Sequence, residues 1–212
     1  MKIVYSLLRY YFASNKLNTY IRSKDKDGLK LLLEAGCDPN TISYGISALQ
    51  CAFMNNANDL AFELLEYKAN PNISYENKFE NKRVSLLEDV IARNHYERAR
   101  LLILYGANSV ENFENIPALQ EAYEMYTTSI QPYQNQSTVE AYEKLADIWS
   151  DIGNMETDSI LKKCYLKKAD TYAQKVQELS KQMQSENSSQ SSESLSLNSE
   201  QGLSSIRKRL IH

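Results

Sequence analysis

One short ending recurs three times along the chain, and this recurrence limits the fold more than any other feature. Residues 31–40 read LLLEAGCDPN, residues 64–72 read LLEYKANPN and residues 101–108 read LLILYGAN. Between equivalent positions, Cys37 to Ala69 is 32 residues and Ala69 to Ala107 is 38. Ser47 to Ser85 is also 38 residues, so the second and third copies share one internal register. Repeats of this length mark supersecondary units that cannot bury their apolar faces alone and must stack on one another. Each copy reads as helix, then turn. Gly36 sits where a helix end needs positive φ, and Asp38-Pro39-Asn40 is turn chemistry. The extra residues of the third copy fall in 75–83, YENKFENKR, which reads as an enlarged hairpin tip.

The middle copy holds the most specific motif. Gly45-Ile46-Ser47-Ala48-Leu49-Gln50-Cys51-Ala52 resembles the ankyrin signature G-x-T-P-L-H-x-A. Ser47 stands for the Thr, Ala48 for the Pro and Gln50 for the His, while Leu49 and Ala52 are unchanged. Ser keeps the helix-capping hydroxyl. Leu64 and Leu65 match the paired leucines of the second helix. In the third copy Ser85, Leu86, Leu102 and Ile103 take these slots, and Asn15 and Leu17 take them in a worn first copy. The chain thus resembles the ankyrin-repeat family over residues 13–110. The resemblance implies an all-α solenoid of about three repeats, close to the minimum such stacks need.

Solenoid ends need covers. An amphipathic helix over residues 1–12 and a helix over 111–132, carrying Leu119, Ala122, Tyr123 and Tyr126, are the expected caps. Residues 133–184 then form a helical hairpin. Ser137-Thr138-Val139-Glu140 is a capping box, and Tyr142, Leu145, Trp149 and Ile152 share one face up to a stop at Gly153-Asn154. The second helix carries Tyr165, Ala169, Tyr172, Val176, Leu179 and Met183 as a heptad seam. Given the short turn, the two helices are expected to pair antiparallel. Residues 185–212 are Ser-rich and low in apolar content, which predicts disorder.

Catalysis finds no foothold here. There is no Gly-rich phosphate loop, no Cys pair at metal spacing and no nucleophile elbow, so no enzyme, cofactor or metal is expected. Net charge is −3, which gives no overall footprint for nucleic acid. Cys37, Cys51 and Cys164 are odd in number and scattered, and they point to a reducing, cytoplasmic setting without disulfides. The first fourteen residues do not read as a secretory signal. No apolar run reaches the length of a membrane span. Glu63, Glu66 and Asp59 read as solvent-facing helix positions, and His95 as a loop residue with a structural role.

The expected work is therefore non-catalytic protein binding by a monomer, with no small-molecule substrate. Ankyrin arrays bind through hairpin tips and the exposed edge of the first helices. The resemblance carries this role to Ser43, Tyr44, Ile46, Met54, Asn55 and Tyr67 in the second copy. In the third copy it falls on Lys82, Val84, Arg93 and Tyr105, and in the first on Arg22 and Ser23. Tyr75 and Phe79, in the enlarged tip, are candidate anchors, since aromatics dominate interface hot spots. Lys162, Lys163, Lys167 and Lys168 form a basic band on the last helix. The alternative they raise is an adaptor for a membrane surface or nucleic acid. The worn repeats and polar tail, with Leu210 near the end, also resemble type IV secretion substrates of Legionella and its relatives. That resemblance implies a bacterial effector working in the host cytoplasm.

Overall fold

The computed structural model describes residues 16–77, 82–108 and 116–209, and the chain is mostly helical. Helix α1 covers residues 16–23 and is followed by α2 (Lys26–Glu34). A two-residue hairpin, β1 (Ile42–Ser43) with β2 (Ile46–Ser47), leads into α3 (Ala48–Met54) and α4 (Asn58–Glu66). A longer hairpin, β3 (Ser74–Asn77) with β4 (Lys82–Ser85), leads into α5 (Leu86–Ala92) and α6 (Tyr96–Leu104). Next comes α7 (Pro117–Met125), continued by a wider π-helical turn over Tyr126–Ile130. The chain closes with α8 (Val139–Met155) and α9 (Ser159–Arg209). The helix expected over residues 1–12 lies outside the described residues.

The backbone repeats at the spacings legible in the sequence. Lys24, Asn56 and Asn94, between the two helices of each copy, hold φ of 55°, 50° and 59°. Gly36, Lys68 and Gly106, just past the second helices, hold 84°, 66° and 85°. Both triplets step by 32 and then 38 residues (56 − 24 and 94 − 56; 68 − 36 and 106 − 68). Leu17, Leu49 and Leu87, spaced alike, are all buried in one core with Leu64, Leu65, Leu102 and Ile103.

Two devices fix this geometry locally. The Ser47 hydroxyl accepts from the Gln50 N–H at 3.1 Å, and the Ser85 hydroxyl accepts from the Glu88 N–H at 3.1 Å. Glu88 Oε2 accepts in return from the Ser85 N–H at 2.7 Å, completing a capping box. Ser85→Ala is expected to lower stability by about 1 kcal/mol, read as a reduced urea midpoint at constant slope. An unchanged midpoint would show that water replaces the cap freely. The second device joins successive tails. Asn40 Oδ1 accepts from the Asn70 N–H at 2.6 Å, and its Nδ2 donates to the Lys68 carbonyl at 3.4 Å. Asn72 makes the same two bonds to the Asn108 N–H (2.6 Å) and the Gly106 carbonyl (3.1 Å).

Helix α7 packs on α6 with Leu119 and Ala122 buried. The π turn brings Tyr126 against Gly106, where a Cβ would meet the Tyr126 hydroxyl at 2.6 Å. Helices α8 and α9 run antiparallel. Tyr142 lies against Tyr172 with ring centres 5.9 Å apart, and Trp149 against Tyr165 at 5.7 Å. Two expectations differ from the structure. Gly153 does not stop α8, which runs on to Met155; a Cβ at Gly153 would meet Leu166 Cδ2 at 2.8 Å. Its lack of a side chain allows the two helices to approach closely. Helix α9 continues through the Ser-rich stretch expected to be disordered, as far as Arg209. That stretch holds no Pro and only one Gly, Gly202, so it carries few of the strongest helix breakers.

Candidate functional site

The β1–β2 turn is Tyr44-Gly45, with φ of 53° and 77°. Positive φ at both central residues is the type I′ geometry that favours Asn-Gly. A Tyr in the first position is strained, because its Cβ crowds the backbone in the left-handed region. Its ring gains no burial in exchange: Tyr44 is 89% exposed. Ile42, on the adjoining strand, is 67% exposed, and Met54, at the end of α3, is 65% exposed. Helix α3 starts at the base of the hairpin, so Met54 lies about 10 Å further along it at 1.5 Å per residue. Arg93, which occupies in α5 the place of Asn55 in α3, is exposed and paired with Asp89 at 3.0 Å. Lys82 is exposed on β4.

Other residues expected on this face have different roles. Ser43 is only 4% exposed, because the pleat turns it inward and turns Ile42 outward. Ile46 is half-buried against the core, and its carbonyl accepts from Asn18 Nδ2 at 3.3 Å. Asn55 closes α3 by donating from Nδ2 to the Cys51 carbonyl at 2.8 Å. Val84 is half-buried on β4. Tyr67 packs on the core, and burial raises its pKa first, with the Glu34 charge adding to that. Tyr75 also packs on the core, where burial pushes its pKa up first and Asp89 adds to that. It is half-buried on β3 and not fully exposed at the tip. Phe79 lies outside the described residues.

The basic band is broken by burial. Lys163 and Lys167 are exposed and Lys162 is half-buried, but only 10% of the Lys168 side chain is exposed. Its Nζ sits 4.3 Å from the Tyr105 ring centre, 4.4 Å from that of Trp149 and 6.0 Å from that of Phe62. The ammonium pairs with Glu66 and donates to the Tyr105 hydroxyl at 2.9 Å. Burial pulls Lys168 below the ordinary lysine range, and Glu66 opposes that pull. The same burial, reinforced by Glu66, raises Tyr105 well above the ordinary phenol value. Tyr105, expected at an exposed tip, is instead one wall of a cage.

The cage is the centre of a junction that periodicity did not reveal. The α8–α9 hairpin lies on the helices α4 and α6, with Phe62 edge-on to Tyr165 at 5.9 Å and Tyr105 against Trp149 at 5.7 Å. Glu156, buried in the α8–α9 turn, accepts from the Thr157 and Asp158 N–H groups and from Arg100 Nη1 at 3.3 Å. Glu63 is accordingly not a solvent-facing spectator, being buried and paired with Lys26 at 3.6 Å, whereas Glu66 is exposed as expected and holds Lys168 from there.

Cys51 and Cys164 are buried, and burial lifts the Cys164 thiol to about 11, well away from a reactive thiolate. His95 stands at the start of α6, 3.8 Å from Glu97. Among the described residues no group of three or more His, Cys, Asp or Glu is placed to hold a metal ion. No described helix is long and apolar enough to cross a membrane. No family model matches the chain, and no curated protein matches it.

Proposed function

We propose that the chain is a non-catalytic, ankyrin-type binding module that engages another protein through its hairpin tips and the exposed ends of α3 and α5. The supporting observation is Tyr44, an aromatic ring held in a strained left-handed turn and left almost wholly in water. Backbone strain at a site with no packing gain is characteristic of functional positions. Ile42 and Met54 extend the same apolar surface, and Arg93 adds a charged edge, a combination common in interface anchors. The stepping of positive-φ residues at 32 and 38 supports the repeat reading, as do the Ser47 and Ser85 caps.

The test is affinity capture from the native cell lysate with the Tyr44→Ala/Met54→Ala/Arg93→Ala triple variant as control. Hot-spot truncation costs at least about 2 kcal/mol, so capture of a specific partner should fall by more than about 30-fold. A partner held equally by the triple variant would remove this face as the site. Tyr44→Asn sharpens the comparison. It relieves the turn, so the urea midpoint should hold or rise slightly, while binding should fall as it does for Ala.

A further inference from the structure

The junction between the α8–α9 hairpin and the helices beneath it has the chemistry of a binding site. The walls of the ammonium cage come from two sources: α4 and the end of α6 provide Phe62, Tyr105 and Glu66, and the hairpin provides Lys168 and Trp149. A second ion pair crosses the same boundary with opposite polarity, from Arg100 on α6 to Glu156 on the hairpin. The two pairs fix both the register and the direction of docking. Charges placed so as to be complementary across a boundary supply specificity and rate of encounter more than permanence.

Two further groups argue against a permanent core. The Trp149 indole N–H and the Tyr165 hydroxyl are buried in the junction with no hydrogen-bond partner among the described residues. Buried polar atoms without partners are rare in native cores, and here two lie in rings 5.7 Å apart. Opening the hairpin would give both groups to water, so the closed form is less favoured than its apolar contacts alone would make it.

We propose that the α8–α9 hairpin is a detachable clamp, and that the α4–α6 face beneath it is a docking site for a lysine-bearing helix. In the closed form that site is filled by the chain's own Lys168. In the open form Phe62, Tyr105 and Glu66 remain as a half-cage able to hold an incoming lysine by the same ring and carboxylate contacts. This site is separate from the Tyr44 face and does not depend on it.

Hydrogen exchange on the full chain tests the clamp. In Lys168→Gln, amides of α8 and of residues 159–180 should exchange at least tenfold faster, while those of α3 to α6 stay within twofold. Loss of protection spread evenly over α3 to α9 would overturn the proposal, since the hairpin would then be part of one cooperative body; so would no change anywhere. If Lys168→Gln fails to fold, Glu66→Gln carries the same comparison. The docking site is tested with a labelled peptide of residues 159–180 added to full-length Lys168→Gln. The natural peptide should bind saturably and at least ten times more tightly than the same peptide with Gln at 168. Adding Glu66→Gln to the protein should abolish that difference. Equal binding of the two peptides, or binding by neither, would overturn it.

Discussion

Replacing Arg98 with Ala is expected to lower stability by about 3 kcal/mol, among the larger single-residue losses available in this chain. The side chain is buried, and all three of its nitrogens are engaged. Nε donates to Asn58 Oδ1 at 3.1 Å, Nη1 to the Phe53 carbonyl at 3.0 Å and Nη2 to Asn56 Oδ1 at 2.6 Å. Its guanidinium also lies 5.8 Å from the centre of the Phe53 ring. One residue of α6 therefore closes the turn between α3 and α4, including Asn56 at its positive φ. Truncation removes one of the two bonds to the Phe53 carbonyl, which keeps the Asn56 N–H at 3.2 Å, frees the Asn56 and Asn58 side chains and empties the space of the aliphatic stem. The repeat provides the control. Thirty-eight residues earlier the same position is Leu60, buried in the core. Arg98→Leu should recover packing but not the hydrogen bonds, and so fall between Ala and the natural residue. Equal midpoints for Ala and Leu would mean that the hydrogen bonds, not packing, set the whole loss. A loss under about 1 kcal/mol for Ala would show that water replaces them at little cost.

Trp149→Ala is expected to cost about 3–5 kcal/mol, the usual range for removing a large buried aromatic. Trp149 touches both halves of the molecule, with Tyr105 on one side, Tyr165 on the other and the Lys168 ammonium over its face. Its removal leaves a void at the junction and deletes one wall of the cage. It is the only Trp in the chain, so far-UV circular dichroism rather than emission must follow the variant. Trp149→Phe should restore more than half of the loss, because the position rewards a ring more than the indole N–H, which has no partner among the described residues. A Phe variant as unstable as Ala would show that the N–H has a partner after all, such as ordered water. The Ser85 cap, by contrast, is worth about 1 kcal/mol, since it satisfies one backbone group near solvent.

What could be read from the sequence was what depends on neighbours along the chain. The steps of 32 and 38 appear directly in the backbone dihedrals, and Ser47 and Ser85 cap the helices they precede; the capping box expected at Ser137–Glu140 does not form, and the Thr138 hydroxyl, one residue on, starts α8 by accepting from the Ala141 N–H at 3.2 Å. Capping and turn chemistry act over three or four residues, so composition at fixed offsets is enough to place them. Docking of the hairpin acts over a different range. Glu66 and Lys168 are 102 residues apart, and no period connects them. Lys168 looked like one of four similar lysines, yet it lies one turn from both Tyr165 and Tyr172, on the seam rather than beside it. Position on the seam was the available signal, and sign of charge concealed it. Ser43, expected on the exposed face, points inward for a simpler reason: a hairpin this short has two faces, and one residue of register exchanges them.

The asparagine pairs at Asn40 and Asn72 have a consequence for how such a chain changes over time. Each joins one tail to the next through two hydrogen bonds, and neither bond refers to the residues between. The ladder fixes how one tail sits on the next while leaving the length of chain between them free. An insertion at a hairpin costs only the slow logarithmic growth of loop-closure entropy, and it leaves these bonds untouched. The six residues by which the third module exceeds the second could thus be gained without disturbing the scaffold (38 against 32). The hairpins can lengthen while the asparagine ladder keeps its own count.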